Sequence, residues 1–157
     1  MGKSIELDID KIYQAWRTYL LANSQAKYFG MLFDSTKQAR FPYANLRMTS
    51  RYTDGSDLDG DESSIYLTFE TEAYINNSKL LTLYNIDTAS SDFFLELGFR
   101  RTGDSQIMRV SDTVTKITSR FILRHYCGYF LVDLDEIISA SEEGTGTASP
   151  SESGTTG

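Results

Sequence analysis

Acidic side chains gather in one polar segment, residues 53–62, where they could bind a metal ion. In chain order they are Asp54, Asp57, Asp59, Asp61 and Glu62. An EF-hand calcium loop requires glycine at its sixth position and a bidentate glutamate at its twelfth. Counted from Asp57, those positions hold Glu62 and Thr68, so the spacing does not fit. The segment is predicted to be a solvated acidic hairpin loop, with no metal site.

A second acidic pair, Glu70 and Glu72, has the spacing that places two side chains on one face of a strand. Two carboxylates on one face could act as a general acid and a general base. That chemistry requires different pKa values, and the sequence contains nothing that would separate them. Arg47 and Arg51, on the preceding predicted strand, offer ion-pair partners across the sheet. We therefore predict a charged, solvated sheet face and no catalytic residue.

His125 and Cys127 also alternate on one strand face, where they could form a nucleophile pair or bind zinc. A zinc site needs further ligands, and the chain has 1 His and 1 Cys in total, which leaves only carboxylates. A packed pair in the core is the better interpretation. No cofactor is predicted.

The charge balance limits the classes of partner. The formal net charge is -7, which argues against a surface that neutralises nucleic-acid phosphates. The single cysteine excludes an intrachain disulfide, so we expect folding in a reducing, intracellular compartment. We expect neither a signal segment nor a membrane-spanning run of about 18 apolar residues.

The acidic pair belongs to an alternating segment that predicts a long strand over residues 63–75. One face carries Ile65, Leu67, Phe69, Ala73 and Ile75, and the other carries Tyr66, Thr68, Glu70, Glu72 and Tyr74. A helix should follow, with Ser78 as N-cap and Gly98 as C-cap, next to Phe99. Its sheet-facing stripe is predicted to be Leu80, Leu83, Tyr84, Phe94, Leu95 and Leu97.

The remaining pattern completes an α+β prediction. Asp8 should cap a first helix whose apolar stripe is Ile12, Trp16, Tyr19 and Leu20. A strand from Pro42 should place Ala44, Leu46, Met48 and Ser50 on one face and Asn45, Arg47, Thr49 and Arg51 on the other. Further strands are predicted at 107–110 and 116–127, a turn at 102–104, and a strand or short helix at 130–138. Residues 28–41 show no clear period.

These elements predict a mainly antiparallel sheet of about four strands. The N-terminal helix and the second helix should pack on one face of that sheet. Residues 1–138 should form a single domain. Residues 139–157 are rich in Ser, Glu, Gly and Thr and should form a flexible tail unless a partner holds it.

Three motifs resemble the tail terminator proteins (tail completion or head–tail joining proteins) of long-tailed bacteriophages. They are GDES followed by YLTFETEAY over residues 60–74, ELGFRR over 96–101, and Asp112-Thr113 before the strand that ends near Tyr126 and Gly128. The resemblance implies a non-enzymatic virion protein of the tail or neck, assembled in the bacterial host cytoplasm. It implies a homohexameric ring on the head-proximal end of the tail tube, which stops tube polymerisation and joins the tail to the head connector.

The implied partners are other copies of the chain, the tail tube protein and the head-completion or connector protein. DNA would pass through the lumen without sequence-specific binding, and no membrane is involved. The expected assembly residues are those of the acidic loop and four arginines: Asp54, Asp57, Asp59, Asp61, Glu62, Arg47, Arg51, Arg100 and Arg101.

Three alternatives stay open. The first is another neck or tail component, such as a stopper protein or a tube subunit. The second is a small carboxylate- or metal-dependent hydrolase that uses Glu70, Glu72 or His125. The third is a soluble adaptor whose acidic loop binds a basic partner, with an affinity that falls as salt rises.

Overall fold

The computed structural model describes residues 7–31, 40–126, 130 and 132–145. Within them the chain forms three helices and one six-stranded mixed sheet, which confirms the α+β class. In chain order the elements are α1 (Ile9–Asn23), β1 (Tyr28–Met31), β2 (Tyr43–Ser56), β3 (Glu62–Ile75), α2 (Leu80–Glu96), β4 (Arg100–Arg101), β5 (Gln106–Arg109), β6 (Thr115–Tyr126) and α3 (Leu134–Thr145).

Three long antiparallel strands form the centre of the sheet, whose order is β1-β2-β3-β6-β4, with β5 also paired to β6. All pairings are antiparallel except that of β1 with β2. The sheet exceeds the expected four strands because β1 and β4 are too short to show a period in the sequence. The region 28–41 that showed no clear period contains β1.

The apolar core lies between one face of the sheet and the helices. The apolar face predicted for β3 is confirmed, since its odd-numbered apolar side chains are all buried. The opposite face is exposed less than predicted, because Glu70, Glu72 and Tyr74 are buried as well. Ile12, Trp16 and Leu20 of α1 are buried as predicted, and the Asp8 carboxylate caps this helix by accepting from the Lys11 amide at 3.0 Å. The Trp16 indole donates to the Ser90 hydroxyl of α2 at 3.1 Å, so a polar group in the core is satisfied.

The stripe predicted for α2 is only half right. Leu80, Tyr84 and Leu95 are exposed. The buried side chains of this segment are instead Leu83, Ile86, Asp87, Ser90, Phe93, Phe94 and Leu97. The error arose because small polar residues occupy part of the buried stripe, and an apolar pattern does not show them. The predicted Ser78 cap is wrong too, because the Asn77 side chain accepts from the Lys79 amide at the start of this helix instead.

The end of α2 confirms the predicted glycine cap. Gly98 has φ 99°, a left-handed conformation that costs a side-chain-bearing residue energy. The Phe99 amide donates to the Phe94 carbonyl at 2.9 Å, and the two rings lie 5.1 Å apart. This hydrogen bond and ring contact are those of a Schellman motif, and they turn the chain from α2 into β4.

A β-bulge at Thr49 overturns the predicted faces of β2 after Met48, whereas Ala44, Leu46 and Met48 pack on the core as predicted. Met48 pairs with Phe69 but Ser50 pairs with Thr68, so Thr49 is an extra residue. Every later side chain in this part of β2 is shifted by one, and Arg51 now pairs with Leu67. The hairpin loop is also shorter than predicted, because β2 runs to Ser56 and β3 begins at Glu62.

The C-terminal helix crosses the predicted domain boundary at residue 138. The sequence predicts a strand or a short helix over residues 130–138, and α3 begins there at Leu134 and extends to Thr145. The Lys11 ammonium binds the Asp135 carboxylate at 2.9 Å, which joins α3 to α1. The tail from residue 146 onward and Cys127 lie outside the described residues.

Phe94 gives a test of this core. Its ring packs 5.6 Å from that of Phe69 on β3 and 4.9 Å from that of Phe121 on β6. Phe94→Ala should lower the free energy of unfolding by about 3–5 kcal/mol, because it removes a buried ring and leaves a cavity. The neighbouring change Leu95→Ala, at an exposed position, should stay within about 0.5 kcal/mol. Equal losses in urea denaturation would contradict this packing.

Candidate functional site

The sheet face away from the helices carries a line of ion pairs across its three central strands. We call Arg47, Glu70, Glu72, Lys116 and Arg120 the charge ladder. Arg47 on β2, Glu70 on β3 and Arg120 on β6 lie directly opposite one another. One Glu70 oxygen accepts from Arg47, and the other accepts from the Arg120 Nε at 2.7 Å. A central carboxylate is thus bound by a cation from each side.

Glu70 is almost completely buried, with an exposed fraction of 1%. Burial acts to raise the pKa of its carboxyl group, but the hydrogen bonds and charges of Arg120 and Arg47 outweigh burial and lower that pKa. The group is therefore held in its ionised form. A general acid needs the opposite shift, so this environment suits structure better than proton transfer.

Glu72 is likewise surrounded by donors. It accepts from the Tyr74 hydroxyl and lies 3.6 Å from Arg47 and 3.8 Å from Lys116. Burial, followed by the neighbouring Glu72 carboxylate, raises the pKa of Tyr74, which keeps this phenol protonated. The prediction of an ion-paired sheet face is confirmed for Arg47, which contacts both glutamates. The prediction that this face is solvated is wrong here, because Glu70, Glu72 and Tyr74 are all buried.

The prediction that Arg51 also pairs with these glutamates is wrong, because of the bulge at Thr49. Arg51 instead binds Glu62 at 2.7 Å, and the Thr53 hydroxyl donates to the same carboxylate. Asp54 accepts from Arg124 and, at 3.1 Å, from the Ser64 hydroxyl. Arg51, Asp54 and Glu62, which were expected to make assembly contacts, therefore also form ion pairs and hydrogen bonds that stabilise the β2–β3 hairpin.

The tip of this hairpin, residues 57–61, forms a tight acidic turn. The Asp57 carboxylate accepts from the Asp59 and Asp61 amides, each at 2.9 Å. This arrangement uses Asp57 to shape the backbone. Leu58 and Asp59 are exposed at the tip, where a second molecule could reach them.

Arg100 and Arg101, predicted together as contacts between subunits, point in different directions. Arg100 is exposed, whereas the Arg101 guanidinium lies 3.2 Å from the buried Asp87 carboxylate of α2. Asp87 also accepts from Ser119 at 2.5 Å and from Ser105 at 3.0 Å. Arg101 therefore joins β4 to α2. Sequence reasoning missed Asp87, although its position four residues after Leu83 was a signal that it faces the sheet.

His125 lies in the core, as predicted, with an exposed fraction of 1% and its ring 4.5 Å from that of Phe130. Among the described residues neither ring nitrogen has a hydrogen-bond partner. Burial lowers the pKa of its imidazole. No group of three or more His, Cys, Asp or Glu side chains in the described part of the chain is placed to hold a metal ion.

Comparison with models of known protein families gives no match, and no curated protein matches significantly. Within the described ranges, no helix is both long and apolar enough to span a membrane.

Glu70 provides a test of the charge ladder. Glu70→Gln removes the carboxylate that binds Arg120 and leaves Arg47 with Glu72, 3.6 Å away. It should lower the free energy of unfolding at pH 7 by about 1–3 kcal/mol. This is less than the roughly 3–5 kcal/mol that is typical of a broken buried ion pair, because both arginines reach solvent. Asp59→Asn, in the exposed turn, should change it by less than about 0.5 kcal/mol. An unchanged urea midpoint for Glu70→Gln would show that the ladder contributes nothing.

His125 predicts a pH dependence of stability. Its pKa is lower in the folded chain than the ordinary value near 6.5 of the unfolded chain, so the folded state binds fewer protons below that pH. Stability should be full above about pH 6.5 and fall as the pH drops below it. His125→Leu should make the melting temperature flatter between pH 7 and pH 5. Parallel curves for the two proteins would refute this assignment.

Proposed function

We propose that this chain is a structural protein that assembles with copies of itself into a ring at the head-proximal end of a phage tail tube. The observation that carries the proposal is the contrast between the charge ladder and the margin of the sheet. The carboxylates suited to chemistry are ion-paired within the chain, whereas large apolar side chains are exposed beside the outer strand β5. Such a surface fits assembly better than catalysis.

Six of the eleven large apolar side chains that are exposed in the described part of the chain form two groups. They lie on the first turns of α2 and on β5 with the residue that follows it: Leu80, Leu81, Tyr84, Ile107, Met108 and Val110. Leu80 and Arg109 line one cleft, so the two groups of residues adjoin. An apolar patch on a chain with net charge -7 is unusual unless a partner covers it.

A ring of identical subunits requires two different surfaces that meet head to tail and a rotation that closes. The sheet offers two different margins, one formed by β1 and one by β4 and β5. The three motifs that resemble tail terminators lie on β3, at the α2–β4 junction and around the start of β6, so they belong to the sheet and its connection to α2. The acidic turn, residues 57–61, is our candidate contact with a neighbouring ring component or the connector.

The acidic character also suits a passage for DNA. A lumen lined by carboxylates repels the phosphate backbone, so DNA would slide through without adhering. The hydrolase alternative is weaker because Arg47 and Arg120 both hold Glu70 in its ionised form. The ring would end tube growth and join the tail to the head connector. The chain would accordingly reside in the tail or neck of the virion.

Light scattering and negative-stain electron microscopy of the purified protein test this function. At high protein concentration we expect closed rings of uniform diameter and the mass of about six copies, since heterologous contacts that close give one defined size. Long tubes would identify a tube subunit. A protein that stays monomeric at all concentrations would refute self-assembly.

A further inference from the structure

The register of the sheet places β1 and β5 at the same level on opposite margins. One row of directly opposed residues crosses five of the six strands (β1, β2, β3, β6 and β5) from margin to margin: Tyr28, Tyr43, Tyr74, Lys116 and Met108. The adjacent row does the same: Phe29, Ala44, Ala73, Ile117 and Ile107. Both outer strands have 4 residues, so the two margins also match in length.

The two strands run in opposite directions. β1 is parallel to β2, and the next three pairings, β2 with β3, β3 with β6 and β6 with β5, are all antiparallel. Three reversals make β5 antiparallel to β1. Suppose that a second copy is related to the first by a rotation about an axis parallel to the strands. Its strands then keep the same height along that axis and the same direction as those of the first copy. Such a rotation therefore brings β5 of one copy beside β1 of the next as an antiparallel pair.

Both margins have the backbone groups that such a pairing needs. In the described part of the chain, β1 pairs only with β2 and β5 pairs only with β6. The outer side of each strand therefore presents N–H and C=O groups that another strand can bind. Exposed edges in soluble proteins usually carry charges that block pairing, yet the middle residues of β5, Ile107 and Met108, are apolar.

We propose that β5 of one copy pairs with β1 of the next copy and extends the sheet from subunit to subunit around the ring. Kept at the same level, Met108 lies opposite Tyr28 of the neighbouring copy, and Ile107 lies opposite its Phe29. This interface rests on the proposed ring function and specifies which surfaces of the chain meet in it. The partner is a second copy of the chain.

The chemistry of both opposed pairs is complementary. Met108 and Tyr28 are on the open face with exposed fractions of 55% and 37%, and a thioether packs well against an aromatic ring. Ile107 and Phe29 are on the helix face, where Phe29 already contacts the Trp16 ring at 5.6 Å. Aromatic residues opposite aliphatic ones are favourable cross-strand neighbours. Each row of the intermolecular sheet would thus bury an apolar pair.

Engineered cysteines test the register directly. Directly opposed residues in antiparallel strands have Cα atoms about 4.5–5.5 Å apart, which a disulfide can bridge. Under mild oxidation the double variant Tyr28→Cys/Met108→Cys should give a ladder of covalent oligomers that a reductant abolishes. Each single variant controls for Cys127. The pair Tyr52→Cys/Met108→Cys, which places one thiol on the part of β2 beyond β1, should give no ladder.

A charge on the edge tests the same interface without cysteines. Met108→Lys should remove the rings and leave a monomer with a normal circular dichroism spectrum, because a lysine blocks edge pairing. Leu95→Lys is the matched control, since Leu95 is 49% exposed on α2, and this variant should still form rings.

The outcomes separate the interface from the function. Rings that persist in Met108→Lys, or a ladder from the Tyr52 pair instead of the Tyr28 pair, would overturn the interface and leave the ring function standing. A wild-type protein that never assembles would overturn both.

Discussion

The buried carboxylate of Glu70 is the constraint on which the centre of this sheet depends. A charge with an exposed fraction of 1% is tolerated only when cations bind it, and here each flanking strand supplies one. If the pairing register of β2 or β6 shifted by one residue, the arginine of that strand would point to the helix face. The Glu70 carboxylate would then lose that cation. The ion pairs therefore fix the register of β2, β3 and β6, and the apolar rows on the other face follow from it.

This register divides the molecule into three surfaces with different properties. One face packs against α1 and α2 and forms the core. On the open face, Glu70 and Glu72 form ion pairs with Arg47, Lys116 and Arg120 of the same chain. These charged groups are therefore less available to a ligand. Within the described residues, the outer sides of β1 and β5 have no strand partner, and Tyr28, Ile107 and Met108 are exposed there, which favours self-association at these margins. The proposed function follows from this division and from the sequence resemblance.

Much of this arrangement was predictable from the sequence, because long elements with one buried face leave a clear period. The predictions confirmed are the apolar face of β3, the stripe of α1, the Gly98 cap and the pairing of Arg47 with Glu70. The errors have local causes. The extra residue Thr49 shifts the register, so Arg51 pairs with Glu62 and not with Glu70 or Glu72. Arg101 forms an ion pair with the buried Asp87, so it does not point to solvent as a subunit contact would. The residues next to the bulge, Thr49, Ser50 and Arg51, are polar, so the shift left no mark on the apolar alternation. A buried polar partner such as Asp87 adds nothing to that alternation either.

The central claim is that assembly uses the margins of the sheet while Glu70 and Glu72 of the open face are ion-paired within the chain. Amide hydrogen exchange of the wild-type protein, measured from dilute monomer to concentrated assembly, tests it most directly. We expect concentration-dependent protection in Tyr28–Met31 and Gln106–Arg109, because new strand pairing shields their outward amides. Protection that instead appears on the surfaces of α1 and α3, with both margins unchanged, would contradict the account.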